Sequence, residues 1–402
     1  MKKLMFLGGA MQQIPAIKRA KEWGIYVIIC DYLMDNPGQQ YADEYYNIST
    51  TDKDAVLHLA KKIGIDGIVA YASDPAAPTA AYVANQLSLP GNPYESVNIL
   101  TQKDLFRDFL QKNGFNCPKA ASYHSYEEAL KNISLFSFPV MVKPVDASGS
   151  KGVVKVEKLS TLQDAVKEAL SYSRRKKFII EEFISKKGYQ VSGDGFSVDG
   201  KLVFTSYGNE LYSSHGGTRD YVALGEFWPT LLHPDQKMKV DAEIQRIISK
   251  LHMRTGAYNI EVILDKNDKP FVIELGPRNG GSYIPQLIKY ATGIDLIDFT
   301  IKAALGESCN GLHMVETIGC WSNYMIYSEQ SGKFDSLWFD ESFKNKNLLE
   351  VHCTAKSGDL IHKYANTSHS LGTILFKGQS VDEMIHITQH MNEYYKVKLQ
   401  NT

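Results

Sequence analysis

The most restrictive feature of this sequence is the alternation of strand and helix signals over its first ninety residues. Leu4–Leu7 is a short apolar run ending in Gly8-Gly9, Gln12–Trp23 has helical spacing, and Tyr26–Cys30 (YVIIC) is an apolar run that meets Asp31. Asp52–Ile63 reads as a second helix and Asp66–Tyr71 (DGIVAY) as a third strand. Parallel strands need crossovers long enough to hold a helix, and strands covered on both faces read as continuous apolar runs. The pattern therefore predicts a doubly wound parallel sheet of βαβ units, closed by the turn-rich Leu89-Pro90-Gly91-Asn92-Pro93.

A chain of 402 residues exceeds one ordinary core, so further units must follow. Thr101, with Asp104 three residues on, is expected to cap a helix whose buried stripe is Leu105, Phe106, Phe109 and Leu110. Ser125 with Glu128 and Thr161 with Asp164 repeat that start signal around the β-rich run Phe138–Lys143. FIIEEFI at 178–184 and LVFTS at 202–206 read as strands, and a long helix is expected from Pro234 to about Arg254. Tyr258–Leu264 and Pro270–Leu275 read as strands paired across DKNDK. The last ninety residues hold short strands and a final helix capped by Ser380 with Glu383. The layout is α/β followed by α+β, with expected units at 1–93, 94–308 and 309–402.

Net charge is −1, so no surplus of cations exists to neutralise a nucleic-acid backbone. Five scattered cysteines without a CxxC pair fit reduced thiols. The apolar stretch near Met1 is too short for a signal peptide, and no segment approaches the roughly 20 apolar residues of a membrane helix. The expectation is a soluble, cytoplasmic protein without nucleic-acid or membrane partners.

Three segments carry chemistry. Val142-Lys143-Pro144 ends a strand in a lysine, and Ala147-Ser148-Gly149-Ser150-Lys151-Gly152 follows with a second one. Such a loop can close on phosphates, because glycine lets backbone N–H groups approach and lysine supplies charge; a hairpin turn with incidental lysines is the plainer reading. In Ile179-Ile180-Glu181-Glu182-Phe183-Ile184 a strand runs into a loop, where exposed backbone can read the edge of an adenine. Glu261 and Glu274 interrupt apolar strands; if NIEVIL and FVIEL pair, both fall on one face. Two oxygen donors beside phosphates suit Mg²⁺, and an exposed sheet face is the rival. Arg278, in GPRNGGS, is placed to steady a phosphoryl or carboxylate group.

With these residues in order, the sequence resembles the ATP-grasp superfamily from about Asn92 to Ser308. The carriers are Lys103, Lys143, Ser148–Gly152, Glu181–Ile184, Glu261, Glu274 and Arg278. The resemblance implies a pre-ATP-grasp domain at 1–93, an ATP-grasp domain of two subdomains at 94–308 with its lid near 120–186, and the small C-terminal domain of carboxylate–amine ligases at 309–402. It implies ATP between the subdomains, with Lys103, Lys143 and the loop on the phosphates. Glu181 or Glu182, with the backbone of Phe183 and Ile184, would hold adenine, and Gln190 would face the ribose. Glu261 and Glu274 would ligate Mg²⁺, with Mn²⁺ as a substitute, while Arg278 and Lys151 would act on the transferring group. Two positions depart from the family: Gln190 stands where a ribose-binding Glu is common, and Gly276 where E-x-N-x-R has Asn.

The expected reaction is phosphoryl transfer from MgATP to a small carboxylate, followed by attack of an amine or ammonia. Ser73 and Asp74, after the third strand, and Arg219, in the polar loop YSSHGGTRDY, are candidate substrate contacts. A ligase resembling phosphoribosylglycinamide synthetase and a non-catalytic ATP-binding regulator are the alternatives, with an oxidoreductase behind them because G-x-G-x-x-G is absent. Relatives are often homodimers. His386 and His390 have zinc-ligand spacing but no third partner, so a solvated face is expected there.

Overall fold

The computed structural model describes residues 1–212 and 221–400. Strands β1 (Lys3–Leu7), β2 (Tyr26–Asp31), β3 (Glu44–Asn47) and β4 (Gly67–Val69) form a parallel sheet ordered β3-β2-β1-β4. Alternation along β1 and β2 sends Leu4, Phe6, Val27 and Ile29 toward α1 (Ile14–Glu22). Met5, Leu7, Ile28 and Cys30 face α2 (Lys53–Ile63) and α3 (Ala77–Gln86) on the other side. The edge strand β3 has no counterpart among the expected strands, because EYYN carries no apolar run, and β4 is shorter than the expected Asp66–Tyr71.

Two helices, α4 (Tyr94–Leu100) and α5 (Lys103–Lys112), lead to the next sheet. Thr101 does not cap α5: its hydroxyl donates to Val97 O at 3.0 Å, and Gln102 holds the cap position without a side-chain bond. Asp104 is buried, accepting from Arg175 and Lys177 at 3.0 and 2.8 Å. The antiparallel sheet β5-β8-β6-β7 joins β5 (Ala120–Tyr123), β6 (Val140–Pro144), β7 (Val154–Val156) and β8 (Phe178–Glu182). Helices α6 (Tyr126–Asn132) and α7 (Leu162–Tyr172) cover its apolar face, where Val140, Val142 and Ile180 meet Ala165 and Val166. Ser125 caps α6, accepting from Glu128 N at 3.2 Å. Thr161 does not cap α7, since its hydroxyl turns back to Lys158 O at 3.0 Å.

The largest element is an eight-stranded antiparallel sheet ordered β13-β12-β9-β10-β11-β14-β18-β16. Its members are β9 (Gln190–Val198), β10 (Lys201–Tyr212), β11 (Ala223–Trp228), β12 (Gly256–Leu264), β13 (Pro270–Gly276), β14 (Cys320–Ile326), β16 (Leu348–Cys353) and β18 (Gly372–Gly378). Strands β15 (Gly332–Phe339), β17 (Leu360–Ile361) and β19 (Tyr395–Leu399) form a small separate sheet. The sheet therefore runs without a break across position 308, from the central strands into those of the last ninety residues. Helix α8 (Pro234–Lys250), four residues shorter than expected, buries Val240, Ile244, Ile247 and Ile248 against β10 and β13. Ser380 caps the helix Val381–Gln389 as expected, accepting from Glu383 N at 3.1 Å.

After β13, α9 (Ile284–Thr292) packs on β14 and α10 (Leu296–Ala304) returns to the N-terminal sheet. Ile297 and Ile301 join the core around Leu4 and Phe6, and Arg19 pairs with Asp298 at 2.6 Å. A Cβ at Gly67 would lie 2.4 Å from Ala304 O, so that approach of backbones requires glycine. Among the described residues no helix is long and apolar enough to cross a membrane.

Candidate active site

The four-stranded sheet β5–β8, the large sheet, the N-terminal loops and the last ninety residues surround a cavity of about 750 Å³. That size suits a nucleotide together with a small molecule. Its polar groups separate by charge, and strand ends on opposite walls place them.

Cations lie on the side of the four-stranded sheet. Lys143, at the end of β6, donates to Glu181 Oε2 on β8 at 2.8 Å. Arg107 Nε of α5 lies 2.9 Å from Glu181 Oε1 without the alignment of a hydrogen bond, and Arg107 Nη2 donates to Ile273 O at 3.0 Å. Burial alone would raise the Glu181 carboxyl, but the two cations hold it down at about 2. The triad thus keeps one positive charge in surplus at the cavity. Lys103 donates to Ala147 O at 2.9 Å and stands 3.5 Å from Glu274 Oε2. Ser148, Gly149, Ser150 and Lys151 line the cavity. Gly152 instead backs onto α7, where a Cβ would meet Tyr172 Cδ2 at 2.9 Å. Lys186, absent from the expected set, also faces the cavity, and burial holds its ammonium below the ordinary range.

The hinge Glu181–Ile184 behaves as a strand end running into a loop. Glu182 N donates to Lys119 O at 2.9 Å and Phe183 N to Pro139 O at 3.2 Å. The N–H of Ile184 makes no such bond among the described residues, so it is the hinge amide left for a ligand. Glu182 Oε1 accepts from Ser137 N at 3.2 Å.

Anions lie on the large sheet. Glu261 and Glu274 are directly paired in the β12–β13 register, so both point to the cavity face. Two further carboxylates join them, Glu210 on β10 and Glu226 on β11. Gln190 donates to Glu210 Oε2 at 2.6 Å and Glu261 Oε2 at 3.1 Å, and Ser192 to Glu226 Oε1 at 2.9 Å. Burial, reinforced by Glu210 and Glu274, drives the Glu261 carboxyl well above the ordinary range. Burial likewise pushes Glu210 and Glu226 up to about 8, and Glu226 Oε2 has no hydrogen-bond partner. Four carboxylates packed this closely have too little counter-charge in Lys103 and Lys186, and a bound cation would add it. Among the described residues no three acidic, His or Cys groups are placed to hold a metal alone. Two carboxylates that share a cation with phosphate oxygens fit that donor set.

The loop after β13 carries Arg278. Its Nε donates to Asp74 Oδ1 at 2.7 Å, and Nη2 pairs with Asp74 Oδ2, giving a bidentate contact to the N-terminal unit. The departure at Gly276 has a local cause: a Cβ there would lie 2.8 Å from Asp74 Oδ1 and 3.4 Å from the Arg278 guanidinium. Asp74 thus occupies the space an asparagine side chain would need. Both oxygens of Asp194 accept from Gly280 N at 2.9 Å, fixing the Arg-Asn-Gly-Gly turn, and burial raises that carboxyl to about 7. Ser282 and Tyr283, both at positive φ, follow, and Tyr283 stacks on His352 at 3.8 Å between ring centres.

The structure therefore gathers Lys103, Lys143, Ser148–Lys151, Glu181–Ile184, Gln190, Glu261, Glu274, Arg278 and Asp74 around one cavity. Ser73 only precedes the turn that presents Asp74, and Arg219 lies outside the described residues. Glu210 and Glu226 interrupt β-strands as Glu261 does, and that signal could have found them. Gly9 N and Asn36 Nδ2 both donate to Asp31 Oδ2, at 3.2 and 2.6 Å, so this carboxylate is already held by local donors.

A family model described as carbamoyl-phosphate synthase L chain, ATP binding domain, matches residues 102–312. The carbamoyl phosphate synthase large chain of Campylobacter jejuni is 26% identical over 308 residues, covering 73% of this chain and 27% of that protein. The chain thus spans little more than a quarter of that relative's length. Among solved structures, an L-amino acid ligase from Bacillus licheniformis superposes with a TM-score of 0.85 at 24% identity, covering 100% of this chain and 99% of the other. A phosphoribosylglycinamide synthetase from Anaerococcus prevotii gives a TM-score of 0.77 at 22% identity, with 99% and 100% covered. At those identities both are likenesses of fold.

Proposed function

The chain belongs to the ATP-grasp family of the carbamoyl-phosphate synthase L chain ATP-binding domain, and from that premise we propose that it joins a small carboxylate to an amine through an acyl-phosphate. The observation that carries the reading is the charge-separated cavity: Lys103, Lys143 and a glycine-rich loop face the paired carboxylates of Glu261 and Glu274, with Arg278 beside them.

In this reading a substrate carboxylate oxygen attacks the γ-phosphorus of ATP and ADP leaves. An amine nitrogen then attacks the acyl carbon, phosphate departs, and the nitrogen loses a proton. Ile184 N–H and the hinge carbonyls read the adenine edge, while Lys143 and the Ser148–Gly152 loop bear on the phosphates. Gln190 offers its carbonyl oxygen to the ribose, since its amide hydrogens are engaged by Glu210 and Glu261. Glu261 and Glu274 would hold Mg²⁺, which would neutralise phosphate charge when bound. Arg278, kept in place by Asp74, and Lys151 orient the transferring group, so the protein contributes position and fixed charge.

Among the described residues, the N-terminal unit lines the cavity with Ala10, Met11, Gln12, Leu33, Asn36, Pro37, Ala72 and Asp74, none of them a cation. A non-phosphorylated amine therefore stands first. The full-length likeness to phosphoribosylglycinamide synthetase supports a second reading, with a phosphorylated ribosylamine as acceptor.

ADP release with MgATP against a panel of carboxylates and amines, amino acids and phosphoribosylamine included, tests both. Acceptor-dependent release that Glu274→Gln abolishes is the expected result. Nucleotide binding without turnover on any pair would favour a regulator, and no nucleotide binding would overturn the reading.

A further inference from the structure

The glycine-rich loop does not hang free over the cavity. Thr367 Oγ1, from the segment between β17 and β18, donates to Gly149 O at 2.8 Å, across 218 positions of sequence. Gly149 has φ +71, and a Cβ on it would lie 2.2 Å from Thr367 Oγ1, so the Thr367 side chain rests directly on the loop backbone. One residue earlier, buried Asn366 donates from Nδ2 to Tyr172 OH at 3.2 Å, at the end of α7. Tyr172 is the residue on which Gly152 rests. Both ends of the loop therefore lean on 366–367.

That turn is itself fixed to the large sheet. Asn366 Oδ1 accepts from Ser368 N at 3.0 Å, and Leu371 N donates to Ile326 O at 2.7 Å. Tyr364 OH reaches Ala223 O at 2.8 Å. Ala223 and Met325, from β11 and β14, line the same cavity.

We propose that Asn366 and Thr367 form a latch that positions the Ser148–Gly152 loop over the nucleotide, tying its closure to strands β11 and β14 of the large sheet. The two are positioning residues, since they act through the loop. The proposal rests on the ATP reading above. It implies that the last ninety residues bear on MgATP affinity.

Thr367→Val keeps the shape and removes the donor, Thr367→Ser keeps the donor, and Tyr172→Phe removes the second acceptor. MgATP affinity is measured by calorimetry on the full chain, with thermal midpoints as a control. Tryptic cleavage at Lys151 without nucleotide reads the loop directly. Thr367→Val is expected to weaken MgATP binding roughly fivefold, the factor one net hydrogen bond supplies, and to speed cleavage at Lys151. The midpoint stays where it is, Thr367→Ser restores both values, and adding Tyr172→Phe deepens the loss. Wild-type affinity and cleavage rate in Thr367→Val would overturn the latch alone. A wild type that binds no MgATP would overturn the nucleotide reading and the latch together.

Discussion

Replacing Glu181 by glutamine separates a strut from a ligand contact. Glu181 is 1% exposed, and Arg107 and Lys143 beside it are 2% and 8% exposed. Its carboxyl is held from an ordinary value of 4.5 down to about 2 by those two cations, against its own burial. A folded value below the unfolded one means that the stability is present above pH 4.5 and drains away as pH falls toward 2. At neutral pH the difference amounts to about 3 kcal/mol. Glu181→Gln also leaves two buried cations without an anion, a loss of about 3–5 kcal/mol when one partner of a buried pair is removed. Urea unfolding at pH 7 should therefore show a deficit of about 3 kcal/mol or more. At pH 3 the gap should narrow, because wild type loses part of the same interaction there. A deficit below about 1 kcal/mol at pH 7, the size of an exposed ion pair, would refute the reasoning.

Two other perturbations follow from the same cavity. Glu226 is pushed up to about 8 by burial, so between pH 4.5 and 8 it stays protonated when folded and ionised when unfolded, which favours unfolding. Glu226→Gln should thus stabilise the ligand-free protein by about 4 kcal/mol at pH 8 and by less than about 1 kcal/mol at pH 5, as thermal melts at the two pH values would show. Asp74→Asn removes the charged partner of Arg278, and the rate of ADP release should fall about tenfold while KM for ATP stays within about twofold. An equal rise in KM would mean that Arg278 serves nucleotide binding instead.

Glu261 stands opposite Glu274 because a bulge at Ile273 shifts the register beyond the Val262–Val272 pair, whereas an unbroken ladder from DKNDK would set the two on opposite faces; the strands were legible, the bulge was not. The loop after Lys143 connects the antiparallel strands β6 and β7, as the plain hairpin reading expected, and it also lines the cavity, which the sequence could only offer as one of two readings. The failures share a cause: the deciding partner lies far along the chain. Thr101 and Asp104 look like a capping pair, yet Asp104 is claimed by Arg175 and Lys177, more than seventy positions away. Nothing local says that α10 will cover the N-terminal sheet, or that Asp74 will reach Arg278 across 204 positions. Gly276 looks like a lost ligand until Asp74 is found in its space.

The continuous eight-stranded sheet has a consequence for synthesis. The parallel strands β1 to β4 all leave the ribosome within the first seventy residues and can pair at once. In the large sheet, β11 ends at Trp228, but its neighbour β14 begins only at Cys320. While those ninety residues are made, β11 presents an open edge, the kind of surface on which nascent chains pair wrongly with one another. A premature stop near position 308 would make that transient edge permanent, and such fragments should aggregate where the full chain does not.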